Sequence, residues 1–471
     1  MKRFLIVLLI LAVISGFVFA AGQQDKNSTA ASGNTIPVIR IVGKDFSPAD
    51  DVNIQFLAKV QAGLEEYTGQ KVKLELVKVP DGAYKEKLNL MLMGGDIPDL
   101  IYFQGGDEAI AKQGLLVDLK PYVDNSAVMQ KVLMEFNKKR IANYPYLLWI
   151  APPRARVALV REDWFKEAGG KTPVTVDDYY NLFKTLKKNH PDAFVMTDTG
   201  NTNRMDFTFE QAFGETATWI KQGGSYVYKK VSDAEKKKLA FYQKLYKEGL
   251  FDKDYITTKW DTMEDKLYTN KVALVFGTSG VVCDIYDTKL KKNQGVGLVA
   301  LPPAKGVGQG YAVSTAKETR GWAISAQSKN PDLVFKLLEF MATDKGQLLD
   351  RYGIEGIHYT VDNGKYAFTD KKSEWWPRFN EVMSYKGPLP VLGPVGAKSW
   401  DFLDKYVVGD PDFPIPADLA PTWDALTNLY KEYSFKIITG EYTIDKFDEF
   451  VKKWYDMGGD KITDYAQTKL K

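Results

Sequence analysis

Between residues 36 and 103 the chain switches repeatedly between two hydrophobic periods, and that alternation constrains the fold more than any other feature. Residues 36–42 (IPVIRIV) read as an alternating, β-rich stretch, the pattern of a strand. The polar turn Gly43-Lys44-Asp45-Phe46-Ser47 follows. Ile54, Leu57, Val60, Leu64 and Tyr67 then recur at helical spacing over 52–68, and Gly69 stops the helix. Residues 71–79 (KVKLELVKV) return to strict alternation, 84–93 read as a helix ended by Gly94-Gly95, and 99–103 (DLIYF) form a short buried strand. Strand, helix, strand, helix, strand at this spacing predicts a parallel sheet with helices on both faces, an α/β fold. Such sheets bind ligands beyond the carboxyl ends of their strands, so loops 44–47 and 104–107 form the first candidate site.

The beginning of the chain reads differently. Lys2 and Arg3 precede an apolar run over 4–14, then Ser15-Gly16 and the small-residue exit Val18-Phe19-Ala20-Ala21. This predicts a secretory signal peptide over 1–20, cut after Ala20, with an uncleaved membrane anchor as the alternative. No cysteine follows the cut, so no lipid anchor is expected there. Residues 21–35 are polar and read as a disordered leader. A periplasmic or extracellular location follows, which argues against ATP- or NAD-dependent chemistry.

The remaining chain of about 450 residues exceeds what one hydrophobic core supports, so two lobes are expected. With 63 basic and 60 acidic residues the balance argues against nucleic acid as a partner. Cys283 stands alone in an apolar stretch and reads as a buried, inert thiol. Two histidines are too few for a His-rich zinc site or a HExxH protease. Aromatic content of 13%, with 10 Trp and 26 Tyr, must be explained as core or as a ligand surface.

A second set of elements begins near Tyr146. Residues 146–150 and 157–161 read as strands separated by Pro152-Pro153, with further strands at 272–276, 296–301 and 321–325. Helical patterns cover 163–168, 177–189, 233–248, 261–268 and 331–341, and the last hundred residues are mainly helical.

Six ordered segments carry a family resemblance. Gly95-Asp96-Ile97-Pro98-Asp99-Leu100-Ile101-Tyr102, followed by Gly114-Leu115-Leu116-Val117-Asp118-Leu119, resembles the GDxPD…GxLxDL signature of family 1 extracellular solute-binding proteins, the substrate receptors of ABC importers. The segments 157–165, 270–274 and 321–331 are similar to later runs of that family. Tyr352-Gly353-Ile354-Glu355-Gly356-Ile357-His358-Tyr359 and residues 447–462 look like its larger, oligosaccharide- and alginate-receptor branch. Read physically, Gly95 to Asp99 is a turn-and-cap device that ends a helix and enters a strand.

The resemblance implies a two-lobe periplasmic-binding-protein fold of type II character, each lobe a mainly parallel sheet flanked by helices, with a helical C-terminal extension. On that reading residues 36–151 plus about 302–343 form the N-terminal lobe, and 152–301 plus about 344–471 the C-terminal lobe. It further implies a monomer that binds a carbohydrate, closes its lobes, and passes the solute to the transmembrane subunits of an ABC permease.

A sugar needs hydrogen-bonding side chains beside exposed rings. Asp45, Phe103, Gln104 and Asp107 lie just past strand ends; loop capping is the alternative role for the polar three. Trp322 resembles a cleft ring of the family, with Arg320 its neighbour. Trp149, Trp375 and Trp400 are further candidate rings, drawn from a group that includes Trp219, Trp260 and Trp376. Glu355 falls in the turn motif with His358. Arg154 and Arg156 lie at the expected hinge, where a structural ion pair is the first reading and an anionic sugar the second. The family's tryptophan soon after the strand 270–274 is replaced here by Gly280-Val281-Val282, so stacking there is lost or supplied elsewhere. Residues 192–204 lack the spacing of an EF-hand-like loop, and neither a metal nor a cofactor is expected.

A secreted glycosidase or lyase is the competing class, because hydrolysis needs only two placed carboxylates. Adjacent acids such as Asp177-Asp178 read instead as helix caps. Gly306, Gly308 and Gly310 lack the spacing and the lysine of a phosphate loop, and no serine-nucleophile motif appears. No catalytic residue is therefore assigned. A receptor for a non-sugar solute such as a peptide is the third reading.

Overall fold

A computed structural model describes residues 36–470; the signal segment and polar leader read from the sequence lie outside the described residues. Two four-stranded sheets organise the unit 37–470. The first has spatial order Gly321–Ile324, Leu100–Phe103, Val38–Val42, Lys73–Leu76. Ile39 faces Leu74 and Ile41 faces Leu100 in parallel register, whereas Trp322 faces Tyr102 antiparallel. The helices between these strands are those the periodicity predicts. Asp51–Thr68 is capped by Asp50, whose carboxylate accepts from Val52 N, and ends at Gly69 with φ 68°. Tyr84–Met93 joins the second and third strands.

In the second sheet the order is Phe194–Met196, Val272–Thr278, Arg156–Arg161, Leu298–Leu301. Only the first pair is parallel; Arg156–Arg161 runs antiparallel to both neighbours. The expectation of a mainly parallel sheet is corrected for this lobe. The reason is topological. Arg156–Arg161 carries the chain away from the lobe boundary, while Val272–Thr278 and Leu298–Leu301 bring it back, so their directions oppose. Gly321–Ile324 is antiparallel in the first sheet for the same reason. Residues 146–150, expected as a strand, contribute a single bridge from Leu148 to Trp322.

Two segments pack away from the lobes expected for them. Residues 302–314, placed on sequence in the first lobe, contact residues placed in the second. The Tyr179 hydroxyl donates to Pro302 O, Ala304 N to Thr208 O, and Tyr311–Ser314 pairs with Val407–Asp410. Conversely, residues beyond 344 do not all join the second lobe. Tyr352, Ile354, Tyr359, Trp375, Phe379 and Tyr385 pack in one cluster with Ile39, Ile41, Trp322 and Leu337 under the first sheet. The buried Asp350 carboxylate pins that segment by accepting from Arg378 N, Phe379 N and Asn380 N at 2.6–2.9 Å. The C-terminal helices Ala420–Thr439 and Lys446–Trp454 close the second lobe, with Ile437, Phe450 and Trp454 in its core. No described helix is long and apolar enough to cross a membrane.

Candidate functional site

Strand ends and chain crossings of both sheets converge on a cavity of about 640 Å³. From the first sheet come Gly43, Lys44, Asp45 and Ser47 after the first strand, Tyr102 and Gln104 at the end of the third, and Arg320 at the start of the returning strand. The second sheet contributes Thr278 and Ser279, followed by Val281 and Val282 at the start of the helix Val281–Gln294. Ala151, Pro152 and Arg154 line the first crossing, and Trp376, Pro377, Arg378 and Glu381 reach in from the segment that Asp350 anchors.

Local physics fixes much of this wall. Asp45 has φ 57°, a left-handed geometry that Asp tolerates better than most residues, and Asn53 Nδ2 braces the same loop by donating to Ser47 O at 3.2 Å. A Cβ on Gly43 would stand 3.2 Å from the Trp322 ring, so glycine lets the loop lie directly over that indole. On the opposite side Gly280 (φ +87°) makes room for Trp400: an added Cβ would stand 2.7 Å from its Nε1. Trp400 is therefore the ring beside the helix start where the Gly280-Val281-Val282 run carries none.

Six sequence candidates meet in this cavity: Asp45, Gln104, Trp149, Arg320, Trp322 and Trp400. Their surroundings differ. Trp149 is half-buried, tilted on Tyr102 at 5.4 Å, and its Nε1 has no hydrogen-bond partner among the described residues. Trp322 is 1% exposed, stacks on Phe379 at 5.1 Å and donates Nε1 to Phe379 O at 3.2 Å. It floors the cavity without offering a free face.

Four candidates lie elsewhere. Phe103 is fully buried in a second cluster, with Val42, Ile101 and Leu88, on the sheet face opposite Tyr102. The carboxylate of Asp107 is buried and accepts from Lys317 Nζ at 2.8 Å, at the first turn of the short helix Asp107–Lys112. Trp375 is 4% exposed, donates Nε1 to Asp350 O at 2.7 Å and meets Phe56 edge-on at 4.9 Å. Glu355 is exposed in the turn before Tyr359–Asp362, away from the cavity walls. The bland reading of the GDIPD acids matches their geometry: Asp99 accepts from Arg40 N and Ser328 Oγ, and Asp96 pairs with Arg40.

The reading of Arg154 and Arg156 as ion-pair partners is corrected. Among the described residues the arginine ion pairs are those of Arg40, Arg140, Arg161 and Arg204. Burial and the Arg320 charge lower the pKa of Arg154, with Glu381 partly opposing. Burial, Arg204 and Arg154 push Arg156 down to about 10. Sequence reasoning missed Arg378, Glu381, Thr278 and Ser279 and passed over Trp376. Arg378 donates Nε to Asn53 Oδ1 at 3.2 Å and Nη1 to Trp376 O at 2.7 Å while lying over the Trp375 ring. Trp376 is 43% exposed. The run Trp375-Trp376-Pro377-Arg378 was the available signal, with rings, a stiff proline and a cation in four residues.

A wall of rings, amide, hydroxyl, carboxylate and guanidinium groups can bind a polar, multi-hydroxyl solute by stacking and hydrogen bonding.

Known proteins place this geometry. The chain is 21% identical to lipoprotein LipO of Bacillus subtilis, across 93% of each chain. It is 22% identical to the polygalacturonan/rhamnogalacturonan-binding protein YtcQ of the same organism, across 97% of this chain and 96% of that one. Among solved structures it resembles the alginate-binding protein AlgQ2, with TM-score 0.66 and 20% identity over 92% of this chain and 98% of that one. The N-glycan transport solute-binding protein NgtS of Streptococcus pneumoniae gives TM-score 0.68 and 17% identity over the same shares. The two solved structures share their fold with this chain. The model of the bacterial extracellular solute-binding protein family matches residues 49–348, well over half of the sequence, and the chain belongs to that family.

Proposed function

We propose that this protein is the extracytoplasmic substrate receptor of an ABC importer and that it captures an oligosaccharide in the cavity between its sheets. The observation that carries the reading is Trp149. Its half-buried ring edges the cavity and, with Tyr102 tilted on it at 5.4 Å, offers a stacking face to a sugar. Gln104, Asp45 and Ser279 add acceptors and donors around it, and Trp376 and Trp400 supply further ring surface. Relatives described as binding polygalacturonan and fructooligosaccharides support a carbohydrate ligand.

The lobes we assign comprise residues 37–150 with 321–385, and 155–314 with 394–470. Ligand docks against the first, and the second rotates about crossings near 151–154, 315–320 and 386–393 to expel water. The closed form is then recognised by the transmembrane subunits of a permease. On this reading the protein is exported, works as a monomer, and releases its solute chemically unchanged.

Small-angle scattering with and without a panel of oligosaccharides tests closure: the radius of gyration shrinks with each sugar that raises the melting temperature. A radius unchanged by every tight ligand overturns closure. Recovery of shortened sugar after incubation, in place of intact sugar, favours the hydrolase reading instead.

A further inference from the structure

Cations enter the cavity at the starts of the strands that leave the lobe boundary. Arg154 precedes Arg156–Arg161, and Arg320 precedes Gly321–Ile324. Neither forms an ion pair among the described residues, and the buried Nε of Arg320 has no hydrogen-bond partner. Arg156, opposite the cavity-lining Thr278 in the sheet register, likewise has a buried Nη1 without partner. The carboxylates nearby are committed or distant. Glu318 is held by Arg140 at 2.6 Å and by Asn137 at 2.9 Å, and Glu381 lies beyond ion-pair distance of either guanidinium.

Arg154 is exposed and Arg320 half-buried, and Glu381 and Glu318 offset the Arg154 charge only in part, so this wall keeps positive charge with no ion pair among the described residues. Guanidinium groups with free N–H donors match oxyanions bidentately. We infer that the solute is an acidic oligosaccharide, whose ring carboxylate or sulfate is received by Arg154 and Arg320. This rests on the oligosaccharide reading above and adds its charge. Asp45 and Asp50, near Arg378, also line the cavity. The anionic group is oriented toward the crossings, where Arg154 and Arg320 lie.

Isothermal titration of the intact protein with four probes decides the matter: trigalacturonic acid, its fully methyl-esterified form, a neutral trisaccharide such as maltotriose, and a sulfated disaccharide. We expect an acidic probe to bind at least tenfold more tightly than the ester and the neutral sugar. The uronate and sulfate arms separate the two sources of anion. The double variant Arg154→Gln/Arg320→Gln brings the ratio of acid to ester affinity to within about threefold of unity, and its apo melting temperature does not fall, because a repulsion has been removed. Equal or tighter binding of the ester or of maltotriose overturns the acidic assignment and leaves the sugar reading standing. Failure of all four probes, alongside failure of the wider panel, overturns both. If the double variant does not fold, the wild-type comparison of acid with ester still decides.

Discussion

Gly280 and Trp400 occupy one space: the glycine backbone lies so near the indole that a single added carbon would stand 2.7 Å from Nε1. The glycine also holds φ +87°, a geometry that alanine adopts only under strain. Gly280→Ala is expected to cost about 1–3 kcal/mol of stability and to displace the ring. Paired thermal unfolding and sugar titration check this. Unchanged affinity in a folded variant removes Trp400 from the binding wall.

Trp149 offers a finer test. Trp149→Phe keeps an aromatic face and removes the unpaired Nε1–H. That N–H is buried, so affinity stays within about 0.5 kcal/mol of wild type while apo stability holds or rises, because a buried orphan has been deleted. A larger loss of affinity shows that lobe closure brings the N–H onto a ligand atom.

In the second lobe Lys230 and Lys238 are buried among Asp206, Glu215 and Glu235, with Lys238 Nζ 2.9 Å from Glu215 and 3.0 Å from Glu235. Two cations and three carboxylates balance only if one acid keeps its proton. Burial and the adjacent Glu235 hold the Glu215 pKa well above the usual carboxylate range, and its Oε1 has no partner. Lys238→Met should therefore cost about 3–5 kcal/mol in denaturant unfolding, whereas Glu215→Gln should fall within about 1 kcal/mol of wild type near pH 5. A raised folded-state pKa means stability present at low pH is lost as pH climbs through it, so the Gln variant gains on wild type toward alkaline pH. Parallel pH profiles would show that Glu215 is ionised throughout.

His358 titrates the opposite way. Its Nδ1 accepts from Ile354 N at 2.9 Å, and burial together with the Lys372 charge lowers its pKa below 6.5. Protonation at Nδ1 destroys that hydrogen bond. The native state thus binds the proton less readily than the unfolded chain. The stability from this group is full above pH 6.5 and declines as pH falls toward the folded value. With two histidines in the sequence, ring resonances in NMR are readily assigned. A midpoint for His358 at or above 6.5 contradicts the assignment.

Legibility in the sequence followed the range of the interactions involved. The helices Asp51–Thr68 and Tyr84–Met93 were readable because their caps, periods and stops lie within a few residues of one another. Asp45 and Gln104 were readable as cavity residues because position after a strand end is itself a local property. Tryptophan, by contrast, carries the same propensity whether it lines a cleft or fills a core. Trp322 is covered by Phe379, 57 residues away, and Trp375 by Phe56 and Asp350, while Trp149 and Trp376 keep part of their surface free.

The sequence by itself determined an α/β first lobe, its strand order of appearance, the need for two lobes and the turn that opens toward the cavity, since hydrophobic period and backbone stereochemistry act between neighbours. Tertiary structure alone decided what residues 302–314 and 344–385 pack against, which rings remain open, and that Arg154 and Arg320 face the cavity without an ion pair among the described residues. Those outcomes depend on burial and on charges brought together from distant positions, whose energies exist only after the chain has closed on itself.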